Sequence, residues 1–204
     1  MATAAAYGSW RSPITAAAIA AGEVSLSSPD IANDDVYWLE GKPLEGGRIV
    51  VVRVGRNGSR QELTPAPFNV RTRVHEYGGG SYLIHHSSVF FSNFADQRLY
   101  RLDAGQAPRA ITPVPAFPAG LRYADACVSD ARGLLICVRE RHETDGREAT
   151  NELVAVAADG SGQARIIASG HDFYSSPRLS PDGRYLAWLS WDHPRMPWDG
   201  TELW

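Results

Sequence analysis

The feature that most restricts what this chain can fold into is a repeat. DDVYWLEG, RIVVVRVG and RQELTPAP follow one another as short β-type runs, and SSVFFSNFADQRLYRLDAG with PRAITPVP makes a second group built on the same plan. In both groups the closing run ends on Thr-Pro. LRYADACVSDARGLLICVRERHETDG, NELVAVAADG and ARIIASG form a third group, and FYSSPRLSPDGRYLAWLSWDHPRMPWDGTELW opens a fourth. The runs are rich in Val, Ile, Leu, Tyr, Phe and Trp, and Gly, Pro, Asn and Asp clusters separate them. A complete group offers four strand-like runs in ~40–50 residues, the period of a β-propeller blade. The expected fold is therefore all-β, a partial propeller of about four blades with the last incomplete. Helical patterning is confined to PITAAAIAA, residues 13–21, with Pro13 suited to the first turn and Gly22 to the end.

Composition narrows the partners. A formal charge of −3 and a pI near 6.1 give no drive toward nucleic acid or an anionic membrane. No apolar run approaches the ~20 residues of a membrane-spanning helix, and the alanine-rich start lacks the charged region that precedes a secretory signal. Two cysteines, Cys127 and Cys137, are too few for a disulfide framework and match no metal knuckle. These readings predict a cytoplasmic protein with no cofactor and no metal.

The clearest local signal is SPDGRYLAWLS, residues 180–190. Its Pro-Asp-Gly fixes φ, bonds its own backbone and then permits a positive φ, and an apolar strand follows. This stretch resembles the WD40-like repeats of TolB-type propellers. Together, FNVRTRVHEYGGGSYL, SNFADQRLYR, LRYAD, FYSSPRLSPDG, WDHPRMPWDGTELW and the opening YGSWRSPIT resemble the N-terminal propeller of S9 (prolyl oligopeptidase-family) serine peptidases, in the acylaminoacyl-peptidase or dipeptidyl-aminopeptidase-like group. The resemblance runs over essentially the whole chain. It implies an N-terminal segment over 1–22, a partial propeller over 23–204, and a C-terminal α/β-hydrolase domain that carries the catalytic Ser, Asp and His and is absent from this sequence. No serine here stands in the G-x-S-x-G pattern that a nucleophile elbow requires, so the chain alone is expected to be inactive. The unfinished fourth group reads as a fragment.

Two polar stretches are candidates for contact with substrate. In RVHEYGGGSY the glycines lead into a β-type run and not a helix, which argues against a phosphate cradle and for close approach of backbones near the propeller axis. Arg73, His75, Glu76 and Tyr77 are candidate gate residues on the peptide route. If they lie on a strand, His75 and Glu76 point to opposite faces and cannot share one site. Arg139, Glu140 and Glu143 form the second stretch, in RERHE. In related peptidases that trim dipeptides, acidic propeller residues hold the substrate's free amino terminus, a role open here to Glu140 or Glu143, against the plainer reading of a solvated loop of mixed charge. His85 and His86, adjacent on an expected strand, face opposite ways and so argue against joint metal ligation. Trp188, Trp191, Trp198 and Trp204 read as filling between blades.

Three functions remain open on these residues. The chain is the propeller portion of an S9 peptidase, limiting the access of peptides to a hydrolase domain that is its partner; or a stand-alone protein-interaction module; or an inactive remnant. The retained YGSWRSPITAAAIAAG favours the first, because in that family the N-terminal helix belongs with the hydrolase domain.

Overall fold

The computed structural model describes residues 4–9 and 12–204. Trp10 and Arg11 of the YGSWRSPIT opening lie outside the described residues. Helix α1 spans Ala16–Gly22, and the Thr15 hydroxyl caps it by accepting from the Ala18 N–H at 3.0 Å. The helix therefore starts after Pro13, because Thr15 supplies the cap.

Fifteen strands follow, in four antiparallel meanders. Blade one holds β1 (Leu26–Ala32), β2 (Asp35–Lys42), β3 (Arg48–Val54) and β4 (Arg60–Glu62). Blade two holds β5 (Tyr82–His85), β6 (Ser88–Ser92), β7 (Leu99–Asp103) and β8 (Arg109–Ala110). Blade three holds β9 (Leu121–Ser129), β10 (Leu134–Arg141), β11 (Thr150–Ala157) and β12 (Arg165–Ala168). Blade four has three strands among the described residues, β13 (Phe173–Leu179), β14 (Leu186–Trp191) and β15 (Glu202–Leu203). The partial propeller expected from the repeat is the observed architecture. Strand β1 had no signal in the repeat because LSSPDIA reads as a turn cluster; Pro29 is accommodated where the β1–β2 register slips between Ser27 and Asp30.

Strand alternation sends successive side chains to opposite neighbours, and the core is three inter-blade layers. Phe91 faces blade one, packing with Tyr37, Leu39 and Val51, while the adjacent Phe90 faces blade three and meets Tyr123, Leu135 and Val154. Val138 and Leu153, register partners on β10 and β11, close the third layer with Tyr174 of blade four. Trp191 is buried and stacks at 5.3 Å on Phe173, its register partner within blade four, while Trp188 packs against the layer between blades three and four. Trp198 and Trp204 do not follow the expectation of filling between blades: both are exposed. Cys127 lies opposite Ile136, one position out of register with Cys137, and both thiols are free.

In a meander the first-to-second hairpins lie at one end of the blades, and the second-to-third loops lie at the other with the crossings between blades. At the hairpin end the blades are tied in series. Asn33 Nδ2 donates to the His86 carbonyl (2.8 Å), His85 Nε2 meets Asp130 Oδ1 (2.5 Å), and Arg132 Nη1 donates to the Gly183 carbonyl (3.0 Å). The SPDG turn forms as its residues predict: Asp182 Oδ1 accepts from the Ser180 hydroxyl and the Arg184 N–H, and Gly183 has φ of 66°. Among the described residues no helix is long and apolar enough to cross a membrane.

Candidate functional site: an acidic pocket at the loop end of the blades

The crossing from blade one to blade two passes over blade three, and this sets the site. Thr72 donates its hydroxyl to the Tyr123 carbonyl (2.7 Å) and the Arg73 N–H donates to Gln97 Oε1 (2.7 Å), which pins the segment down. It then turns. The Glu76 N–H bonds the Arg73 carbonyl and the Gly78 N–H bonds the Val74 carbonyl, both at 2.9 Å. His75 and Glu76 take left-handed φ values of 56° and 64°. The strand expected here is a turn, and the opposite-faces argument fails with it. Two successive left-handed residues bring His75 and Glu76 to the same pocket.

The glycines that follow make the close approach possible. Gly80 and Asp125 exchange two bonds, Gly80 N–H to Asp125 Oδ1 (2.5 Å) and Asp125 N–H to the Gly80 carbonyl (2.8 Å). A Cβ on Gly80 would stand 2.8 Å from Asp125 Oδ1, and one on Gly79 3.1 Å from the Ala124 Cβ. The steric reading of the glycines therefore matches the contacts they make.

Glu140 is the centre of the site. It was expected in a solvated loop, but it sits on β10 with its side chain 4% exposed. Its Oε2 accepts the His75 N–H at 2.6 Å; its Oε1 lies 3.0 Å from Arg122 Nη1 and 2.5 Å from His142 Nε2. Arg122 also donates to Glu76 Oε1 (2.6 Å) and to the Arg73 carbonyl (2.9 Å), so one buried guanidinium joins the two carboxylates. The hydrogen bond from Arg122 holds the Glu76 carboxyl below the usual carboxylate range. Burial lowers the His75 pKa against the opposing pull of Glu140 and Asp125. Its ring packs edge-on against Phe173 and Trp191, and its Nε2 is buried with no partner among the described residues.

His75, Glu76, Glu140 and His142 line a pocket of about 240 Å³ with Glu148, Asn151, Asp172 and His193, and Arg122 holds two of its carboxylates from behind the lining. Asn151 donates to the Asp172 carbonyl (2.7 Å), which leaves its Oδ1 buried and unpartnered, and Asp172 Oδ2 accepts from the His193 N–H (2.9 Å). Glu76, Glu140, Glu148 and Asp172 give the lining four carboxylates, of which the buried Arg122 guanidinium pairs two, Glu76 and Glu140, while His142 and His193 bond Glu140 and Asp172. Such a set suits an organic cation with several N–H donors. Glu76, Glu140 and His142 have ligand atoms near enough to share a metal, but Arg122 already fills the space between the two carboxylates.

Of the seven sequence candidates, His75, Glu76 and Glu140 converge. Arg73 sits at the rim, 3.6 Å from Glu76, and Tyr77 is exposed beside the His75 ring. Alternation on β10 carries Arg139 away to Glu152 (2.5 Å), and Glu143 pairs with Arg141 on the exposed side. Sequence reasoning missed Arg122, Asn151, Asp172 and His193, which come from four separate segments. A larger cleft of about 680 Å³ lies between blades one and two at the hairpin end, but its charges pair internally, Arg53 with Asp35 and Arg101 with Asp103.

The chain matches no protein-family model and no curated protein. Among solved structures it is similar to a Mycobacterium tuberculosis puromycin-hydrolyzing peptidase, with 48% identity and a TM-score of 0.87, covering 97% of this chain and 32% of that one. It is also similar to a puromycin hydrolase, with 40% identity and a TM-score of 0.87 over 99% of this chain and 33% of that one. A mutant of puromycin hydrolase complexed with PGG matches at 40% identity and a TM-score of 0.87, over 98% of this chain and 32% of that one. The chain spans about a third of the length of these relatives.

Proposed function

We infer, from the premise that this chain is homologous to the N-terminal propeller of S9-family serine peptidases, that it limits the access of short peptides to a catalytic α/β-hydrolase domain lying outside this sequence. In this reading residues 1–22 belong with the hydrolase domain and residues 23–204 form the propeller. Hydrolysis proceeds in the partner domain by acyl transfer through an activated serine. The propeller supplies selection by size and by charge. The reading places the protein in the cytoplasm, where Cys127 and Cys137 stay thiols.

The observation that carries the charge selection is a pocket lined by four carboxylates, two of them paired with the buried Arg122 behind it. The related enzymes are named for puromycin, an aminoacyl amide with a free amino group. An ammonium of this kind fits the surplus of carboxylate, with Glu148 and Asp172 its direct partners and Glu140 the residue that positions the His75 turn. Arg73 and Tyr77 stand at the pocket's rim as gate residues. Glu148 has no bonded partner among the described residues, so its replacement leaves the folded network intact.

The test is steady-state kinetics on the chain continued into its hydrolase domain. Glu148→Gln raises KM for an aminoacyl amide with a free amine by roughly tenfold and leaves an N-acylated analogue unaffected. Equal effects on the two substrates, or none on either, reject the amine reading.

A further inference from the structure

We propose that His85, His86 and Asp130, at the hairpin end of the blades, form a binding site for a divalent transition-metal ion, with Zn²⁺ the ion best fitted, which ties blade two to blade three. The site is independent of the acidic pocket, since the two lie at opposite ends of the blades.

The backbone creates the site by breaking strand alternation. His85 ends β5, and His86 enters the turn to β6 with a left-handed φ of 51°. Adjacent residues on a strand point apart, as the sequence led us to expect, but this φ swings the second ring beside the first. Their centroids are 4.1 Å apart. Both Nε2 atoms turn to the same oxygen of Asp130, at 2.5 Å for His85 and 3.5 Å for His86. Asp130 lies on the next blade, in a one-turn 3₁₀ helix (Asp130–Arg132) that the left-handed Gly133 ends.

Three observations favour an ion over a simple hydrogen-bonded trio. Donors bound at about 2.1 Å around a tetrahedral ion stand about 3.4 Å apart; the His86–Asp130 separation of 3.5 Å already matches this, and the 2.5 Å His85–Asp130 hydrogen bond opens by about 1 Å to admit the ion. Both hairpins are also held from outside: Asn33 fixes the His86 carbonyl, and Arg132, two residues beyond Asp130, is tied to Gly183 of blade four. Such support orients ligands and limits what each must lose in entropy on binding. Finally, among the described residues no lysine or arginine pairs with Asp130, whose ionic partners are the two histidines alone. This contrasts with Glu76, Glu140 and His142, where Arg122 takes the cation's place.

Two imidazole nitrogens and one carboxylate oxygen are borderline donors. They suit Zn²⁺, Ni²⁺ or Cu²⁺ and do not suit Mg²⁺ or Ca²⁺, which seek oxygen. The His86 side chain is 74% exposed and that of Asp130 66%, so water can complete the coordination.

The test uses the untagged 204-residue chain, stripped with EDTA and titrated with Zn²⁺ against a chromophoric chelator. One equivalent binds, and the melting temperature rises with added Zn²⁺. His85→Ala, His86→Asn and Asp130→Asn, each checked as folded by circular dichroism, weaken binding by about tenfold or more and abolish the thermal shift. His142→Asn, in the other cluster, changes neither. The proposal is overturned if the folded protein takes up no Zn²⁺ at stoichiometric concentration, if binding survives all three variants, or if it is lost only with His142.

Discussion

Glu140 on β10 accepts the backbone N–H of His75 at 2.6 Å, across a separation of 65 residues and from one blade to the crossing that feeds another. The same carboxylate meets Arg122 and His142, so one buried side chain fixes both the turn that builds the pocket and the buried Arg122 guanidinium behind it. Removing it leaves Arg122 buried with, among the described residues, only the exposed Glu76 as an ionic partner. Glu140→Ala is expected to lower unfolding free energy by about 3–5 kcal/mol, because a broken buried pair strands a desolvated charge. Denaturant melts measure this, and Glu140→Gln, which keeps an acceptor for the His75 N–H, should lose less.

A second prediction concerns the glycine run. Asp125 cannot yield to a Cβ on Gly80, because its carboxylate is pinned by the N–H groups of Gly80 and Ser176. Gly80→Ala should cost about 1–3 kcal/mol, the usual penalty of overpacking. Asp125→Gly removes the clashing oxygen and suits the left-handed φ of 54° at that position. The double variant should therefore be more stable than the sum of the two single losses predicts, a coupling that a double-mutant cycle reads directly.

Acid should weaken blade one through Glu40. Burial pushes this carboxyl up, but hydrogen bonds from Lys42, Arg60 and Trp38 outweigh it and bring the pKa down to about 2. A folded-state pKa below the unfolded value means that the unfolded chain binds protons first as pH falls. The contribution is then fully present above the ordinary value of 4.5 and is lost as pH drops through about 2. Stability measured against pH should show this acid limb in the native protein and a shallower one in Glu40→Gln.

The sequence was informative where one local rule acts alone. Alternating apolar runs with Thr-Pro ends marked the blades, and Ser180-Pro181-Asp182-Gly183 marked its turn, because each feature forms from neighbouring residues. The acidic pocket was half legible. Glu76 stood out beside His75 ahead of the glycine run and Glu140 within the charged RERHE stretch, but Asp172 and His193 reach the pocket, and Arg122 reaches its carboxylates, through tertiary packing, for which spacing holds no signal. The errors at His75, Glu76 and His86 share a cause. Each has a left-handed φ, a conformation uncommon for these residue types that the surrounding bonds impose. Alternation assigned their side chains to the wrong faces.

In the proposed function, this chain selects substrate for chemistry performed in another domain. The most direct measurement compares hydrolysis of chromogenic aminoacyl and acylaminoacyl substrates by the purified 204-residue chain and by the same chain continued into an α/β-hydrolase domain. Turnover and labelling by a serine-directed phosphonate are expected in the longer form only. Turnover by the 204-residue chain alone would contradict this expectation and require a nucleophile among that chain's own serines and cysteines.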